Sequence, residues 1–359
     1  MTARLVLPTR REVVARAHAA GLRVAAVLPY HYPRPLLRAH GFHPIELWGP
    51  PGVPRDEGSR HFQAYTCDIV VRATSFLLRG GLAAVDAIVI PHTCDALQGM
   101  GSVLGDFVRP TPPVLTLYLP RDRRPADREF LVAELRRLGE SLAGISGIVP
   151  DEAAWEKAFA AEDAADRALA SLYARRDGLA VTDREFYTVV RSREFLAAED
   201  FVALADDLPG GDPPGGVPVM LSGIVPEPLE LFDHLAVMGA RVVADDLASG
   251  TRRLYPVEDG GDPHERLAAR LLSGPPDPTR GDPIAARARW LQEQMEASGA
   301  RGLVVYDPKF CEPELFDVPL LRRHLGAAGY PLLHVEVELT GGLNQQTLTR
   351  LEAFVETLQ

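Results

Sequence analysis

Short apolar runs rich in valine and alanine recur along the first part of the chain: Leu22 to Leu28, closed by Pro29; Ile45 to Trp48, closed by Gly49-Pro50-Pro51-Gly52; Ala87 to Ile90; and Val114 to Leu119. Runs of this length bounded by turn residues predict strands buried on both faces. Between them, apolar residues at helical spacing predict helices over Pro33 to His40, Asp68 to Leu78 and Ala126 to Leu142. Strands that alternate with helices over short connections make parallel sheets covered by helices.

From Asp151 to Leu208 no strand pattern appears. Alanine, glutamate and arginine dominate, and Trp155, Phe159, Leu169 and Leu172 fall at helical spacings. The run Pro209-Gly210-Gly211-Asp212-Pro213-Pro214-Gly215-Gly216 then sustains neither helix nor sheet. Alternation resumes beyond it, with strands over Val217 to Leu221, Arg241 to Ala244, Leu303 to Tyr306 and Leu332 to Val337. Helices are predicted over Leu229 to Met238, His264 to Leu272, Ile284 to Ala297, Pro313 to Ala327 and Gln345 to Leu358. The chain therefore reads as an α/β protein of two flavodoxin/Rossmann-like domains with parallel sheets, residues 1–148 and 211–359, joined by a helical connector over 149–210. Open parallel sheets bind ligands outside the carboxyl ends of their strands, so two such domains facing one another make a cleft there.

Composition narrows the partners. The 359 residues are 46% hydrophobic and 24% charged, which suits folded domains, and the formal net charge is -11. An acidic chain is poorly matched to nucleic acid or an anionic membrane, whose affinity comes from neutralised phosphates. No run approaches the roughly 20 apolar residues of a spanning helix, so the expected location is the cytoplasm. Lysine occurs only as Lys157 and Lys309.

Cys67, Cys94 and Cys311 are the only cysteines, too few and too scattered for a disulfide framework. Cys94 follows the strand Ala87 to Ile90, Cys311 follows Leu303 to Tyr306, and Cys67 opens a helix, so all three fall where active-site loops converge. A lone cysteine is commonly small core filler, but these stand in polar loops beside Asp95, Glu312 and Asp68. A structural zinc site using His92 would ordinarily bring paired ligands close in sequence, and no such pair exists. Three thiolates across a cleft also suit an iron–sulfur cluster, which normally takes four, and the missing ligand would leave one iron open.

The segments around the cysteines resemble those of the 2-hydroxyacyl-CoA dehydratase and benzoyl-CoA reductase family. The resemblance rests on Tyr65-Thr66-Cys67 with Arg72, on Pro91-His92-Thr93-Cys94-Asp95, and on Lys309-Phe310-Cys311-Glu312-Pro313. Val243 to Leu247 followed by Gly250-Thr251-Arg252, and the closing stretch Gln346 to Phe354, add to it. It implies that Cys67, Cys94 and Cys311 hold a [4Fe–4S] cluster in a catalytic subunit that works beside a homologous second subunit as a heterodimer. A separate ATP-dependent activator iron–sulfur protein would supply one energetic electron. The implied reaction is removal of water from a 2-hydroxyacyl-CoA through a ketyl radical. The alternatives are reduction of an aroyl-CoA, toward which Leu28 to Arg34 and Leu47-Trp48-Gly49 lean, and a non-catalytic electron-relay subunit.

Neighbouring residues suggest further roles. Asp68 and Asp95 are placed to accept hydrogen bonds from loop amides, and Lys309 and Arg72 either offset cluster charge or form surface ion pairs. His31, after the first strand, is the candidate acid or base, with filling of the loop as the equal alternative. Asp245 and Asp246, paired carboxylates after a strand, would suit a hard cation, but the family resemblance implies loop and interface residues, so they are not taken as metal ligands. No G-x-x-x-x-G-K-[ST] loop is present, which places ATP hydrolysis on another polypeptide.

Overall fold

The computed structural model describes residues 5–28, 31–47, 52–256, 260–339 and 341–359. Among these residues, eight strands form two four-stranded sheets. The first contains β1 (Arg23–Val27), β2 (Phe42–Glu46), β3 (Ala87–His92) and β4 (Val114–Tyr118), in the order β2-β1-β3-β4. The second contains β5 (Val217–Gly223), β6 (Ala240–Leu247), β7 (Gly302–Pro308) and β8 (Leu332–Val337), in the order β6-β5-β7-β8. All pairings are parallel. The two orders are the same plan used twice, so each sheet has its switch point between its first and third strands, where such sheets bind ligands. Pro29, Tyr30 and Trp48 to Pro51, which the sequence reading used as breaks and as part of the resemblance, lie outside the described residues.

The helices of the first half are α1 (Arg10–Ala19), α2 (Arg34–Ala39), α3 (Asp56–Ser59), α4 (Asp68–Leu78), α5 (Asp95–Ser102), continued by a π-helical turn over Val103–Val108, and α6 (Pro125–Ser146). The connector is α7 (Glu152–Ala174), α8 (Asp183–Ser192) and α9 (Ala198–Asp206). The second half adds α10 (Glu230–Val237), α11 (Pro263–Leu272), α12 (Ile284–Ser298), α13 (Glu312–Ala327) and α14 (Gln345–Thr357). The sequence pattern had indicated neither α1 nor α5.

Alternation along the central strands divides each domain into two cores, because successive side chains point to opposite faces. In the first sheet, Ala25, Val27, Ala87 and Val89 face α2 and α6, whereas Ala26, Leu28, Ile88 and Ile90 face α4 and α5. The second of these cores crosses the domain boundary: Ile224, Val225, Ala248 and Leu339 from the second half join it, together with Cys67 and Cys311. In the second sheet, Val219, Leu221, Val304 and Tyr306 pack toward the connector, and Met220, Leu303 and Val305 pack on α12 and α13.

Helix α11 leaves the second half to bury Leu267, Ala268, Leu271 and Leu272 in the first-sheet core beside Leu131 and Leu135 of α6. Buried ion pairs follow the same path. Glu194 of the connector holds Arg34 of the first half at 2.7 Å and Arg253 of the second at 2.9 Å. Arg193 binds Glu162 at 2.6 Å and Asp166 at 3.0 Å. With partners drawn from all three regions, these pairs fix how the sheets face one another, although desolvation leaves their net stabilisation small.

Candidate functional site

A cavity of about 470 Å³ opens between the two halves, and Cys67, Cys94 and Cys311 all line it. Each cysteine is the residue immediately before a helix. Their carbonyls accept the first helical hydrogen bonds, from Val71 at 3.2 Å, Gln98 at 3.0 Å and Leu315 at 3.0 Å. Three helix amino termini therefore converge on one space, each with the positive end of its dipole, and at Cys67 and Cys94 first-turn amides point at the sulfur, a setting that favours thiolate or a bound anionic group.

Hydrogen bonds between the two halves bring Cys67 and Cys311 together. The Asp68 amide donates to the Lys309 carbonyl at 3.0 Å, and the Leu339 amide donates to the Asp68 carboxylate at 3.1 Å. Phe310, just ahead of Cys311, takes φ 65, a left-handed conformation that is costly for a bulky residue and that turns the chain from β7 into α13 at the cavity wall. Cys67 and Cys311 are buried, and Cys94 is partly so.

Interaction with the Cys311 thiol, opposed by burial and aided by the first-turn amides of Ile69 and Val70, holds Cys67 below the ordinary thiol value. The same interaction and burial push Cys311 well up, and burial pushes Cys94 up to about 12. Three thiols crowded into one buried pocket cannot all ionise without a compensating cation. A metal centre would supply that compensation.

The remaining lining is mixed. Thr66, Thr93, His61, Gln63, Arg121 and the carboxylates of Asp95 and Glu312 contribute polar groups, and Phe62, Ile69, Val70, Leu97, Phe310 and Phe316 contribute apolar ones. The Thr93 hydroxyl is buried and, among the described residues, has no hydrogen-bond partner. Such a group is costly unless a ligand satisfies it. Among the described residues, no set of three or more His, Cys, Asp or Glu is gathered closely enough for a single metal ion. A cluster distributes its ligands over several iron atoms, so three thiols around a shared space suit it better than a mononuclear site. The donor chemistry, the converging amides and the orphaned Thr93 hydroxyl fit such a group.

The other candidates fall in different places. Asp68 is fully buried, bonded by Arg72 at 2.6 Å and paired with Arg55 at 3.1 Å. Asp95 lines the cavity but is 80% exposed and pairs with Arg121 at 3.9 Å. Lys309 forms an exposed pair with Glu338 at 3.5 Å, and neither it nor Arg72 lines the cavity. His31 also lies outside the lining, buried behind the wall against Tyr255 and Asp277. Asp245 accepts from Tyr173, Tyr187 and Thr251, tying the connector to β6. Asp246 joins Arg252, Arg287 and Ser222 in a buried network that includes Glu314, three residues beyond Cys311.

The sequence reading missed the turn Pro278 to Gly281 and Arg121, both on the cavity wall. The turn had a local sign, Asp277-Pro278-Thr279, in which a carboxylate caps a proline-started turn. Arg121 had none. Its place follows from the packing of its aliphatic carbons over Gly281, where a Cβ would meet them at 3.3 Å.

The model of the 2-hydroxyglutaryl-CoA dehydratase D-component family matches residues 29–358. Lactoyl-CoA dehydratase subunit beta of Anaerotignum propionicum is 27% identical over 350 residues, covering 94% of this chain and 92% of the relative. The (R)-2-hydroxyglutaryl-CoA dehydratase subunit beta of Acidaminococcus fermentans is 26% identical, with 97% and 96% covered. One of the benzoyl-CoA reductase subunits of Thauera aromatica is 23% identical, with 94% and 91% covered.

Proposed function

Because the chain belongs to the 2-hydroxyglutaryl-CoA dehydratase D-component family and so is part of an enzyme of the 2-hydroxyacyl-CoA dehydratase type, we propose that it removes water from a 2-hydroxyacyl-CoA with a [4Fe–4S] cluster held by Cys67, Cys94 and Cys311. The observation that carries this reading is the meeting of all three cysteines, from both halves of the chain, on one cavity. Cys67, Cys94 and Cys311 would hold the cluster, which would supply low-potential one-electron chemistry toward the thioester and Lewis acidity toward the substrate oxygen.

The protein's own contributions follow from the geometry. The three helix starts set positive potential toward the anionic centre. Thr93 offers a buried donor beside Cys94 to whatever polar atom enters the cavity. Ile69, Val70 and Leu97 exclude water from the sulfur side of the cavity, which strengthens each polar contact made there. Arg121, at the more exposed end, provides a cation toward an incoming acidic substrate. The electron source is a separate activator, and the second catalytic subunit is a homologous partner.

Anaerobic purification with that partner, followed by assay on 2-hydroxyacyl-CoA and aroyl-CoA thioesters with a low-potential donor, tests the proposal. Turnover of a 2-hydroxyacyl-CoA to the enoyl-CoA, with a substrate-dependent change in this chain's iron spectrum, supports it. Turnover of aroyl-CoA alone, or a spectrum indifferent to substrate, overturns it in favour of a reductase or an electron relay.

A further inference from the structure

His31 lies on the first-sheet side and Asp277 on the excursion that carries α11, 246 residues apart in sequence, yet they meet at 3.1 Å. Both are buried, 3% and 1% exposed. The carboxylate does three things at once. One oxygen accepts from the Thr279 amide at 2.8 Å and the Thr279 hydroxyl at 2.7 Å, and the other accepts from His31 Nε2. Arg252 stands 3.5 Å away as its counter-charge. Thr279, its neighbour Pro278, and Gly281 line the cavity.

The hydrogen-bond roles are fixed by charge. Burial works to raise the Asp277 pKa, but Arg252 and His31 hold it well below the ordinary carboxylate value, so Asp277 is ionised and accepts only. Burial, against the hydrogen bond to Asp277, lowers His31, so its ring is neutral. Nε2 therefore carries the proton toward Asp277, and Nδ1 accepts from the Tyr255 hydroxyl at 2.9 Å. A strongly ionised Asp277 is a poor proton carrier, which argues against a proton wire and for orientation. His31 itself is held at φ 34, a strained backbone that these two bonds over-determine.

We propose that His31 and Asp277 are positioning residues. Together they clasp the turn Pro278 to Gly281 against the first half and thereby set the wall that the acyl group meets. The proposal rests on the dehydratase reading for its substrate and on the clasp geometry for everything else. It assigns His31 a place behind the wall, without contact with substrate.

Two variants test it. Asparagine tolerates a left-handed backbone but falls short of Asp277, so His31→Asn removes the bond while sparing the local conformation. Asp277→Asn keeps the shape and loses the charge. Hydrogen exchange on the isolated chain is the first readout: the amides of residues 277 and 279–282 exchange at least about tenfold faster in both variants, while those of α4, α5 and α13 do not change. Unchanged exchange in the turn overturns the clasp. Kinetics of the complex with lactoyl-CoA is the second: kcat/KM falls about tenfold, mostly through KM, at unchanged iron content. A loss confined to kcat and proportional to lost iron overturns the positioning role. If the unaltered complex turns over no 2-hydroxyacyl-CoA while the exchange changes as expected, the dehydratase reading falls and the clasp stands.

Discussion

The two halves deliver cysteines to the cavity by one device and support them by different means. In the first half, Cys67 and Cys94 stand on α4 and α5, whose inner faces are mostly apolar, with Ile69, Val70, Leu97 and Met100 at most 1% exposed and a single buried carboxylate, Asp68, paired with Arg72 and Arg55. In the second half, Cys311 stands on α13, one turn from Glu314, which is wired through Arg252 and Arg287 to Asp246 with nothing more than 1% exposed. Apolar backing holds a thiol by close packing and lowers the local dielectric. Ionic backing holds it by directional bonds whose loss strands a charge. The same strand-loop-helix geometry thus rests on two mechanisms that fail in different ways.

The largest effect is expected on the ionic side. Arg287→Met removes the bonds to Asp246, Glu314, Asp317 and Ser222 and leaves Arg252 to balance two buried carboxylates, Asp246 and Glu314, a loss of about 3–5 kcal/mol read by urea unfolding. On the apolar side, Leu97→Ala leaves a void, and the expected loss is about 2–4 kcal/mol. If Leu97→Ala costs more than Arg287→Met, the contrast between the two backings is wrong.

A pH test sharpens the ionic side further. Burial, against the His334 hydrogen bond, raises the Asp307 carboxyl from 3.8 to about 7, and one of its oxygens has no partner among the described residues. A raised folded-state value means that stability is complete below the unfolded value and is lost as pH rises through the folded one. Asp307→Asn should therefore exceed the unaltered chain in stability at pH 8 by on the order of 2 kcal/mol, with the advantage shrinking toward pH 4. Equal pH profiles for the two proteins would show that Asp307 is not a buried acid. The smallest effect is expected at Asp95. It follows its cysteine as Asp68 follows Cys67, but it is exposed, so Asp95→Asn should change stability by less than about 0.5 kcal/mol.

Much of this arrangement was legible in the residues. The central strands are continuous valine and alanine runs because both faces of each sheet are covered, and their order placed Cys94 and Cys311 at strand ends. Helix α1 escaped notice because only Val13 and Ala17 are buried along it, too narrow a stripe to show as periodicity. Its capping pair, Thr9 and Glu12, was the available sign. Helix α5 was hidden by Gly99 and Gly101. The return of α11 to the first sheet, the clasp at His31 and the different fates of Asp68 and Asp95 depend on contacts between segments hundreds of residues apart. Local pattern carries no trace of such contacts.

Iron and acid-labile sulfide counted per chain after anaerobic reconstitution, in the unaltered protein and in Cys67→Ala, Cys94→Ala and Cys311→Ala, test the central claim most directly. The account predicts about four irons in the unaltered chain and loss of most of that iron in each variant, with the circular dichroism of the fold retained. An unaltered chain that takes up no iron, or variants that keep the full complement, would contradict it.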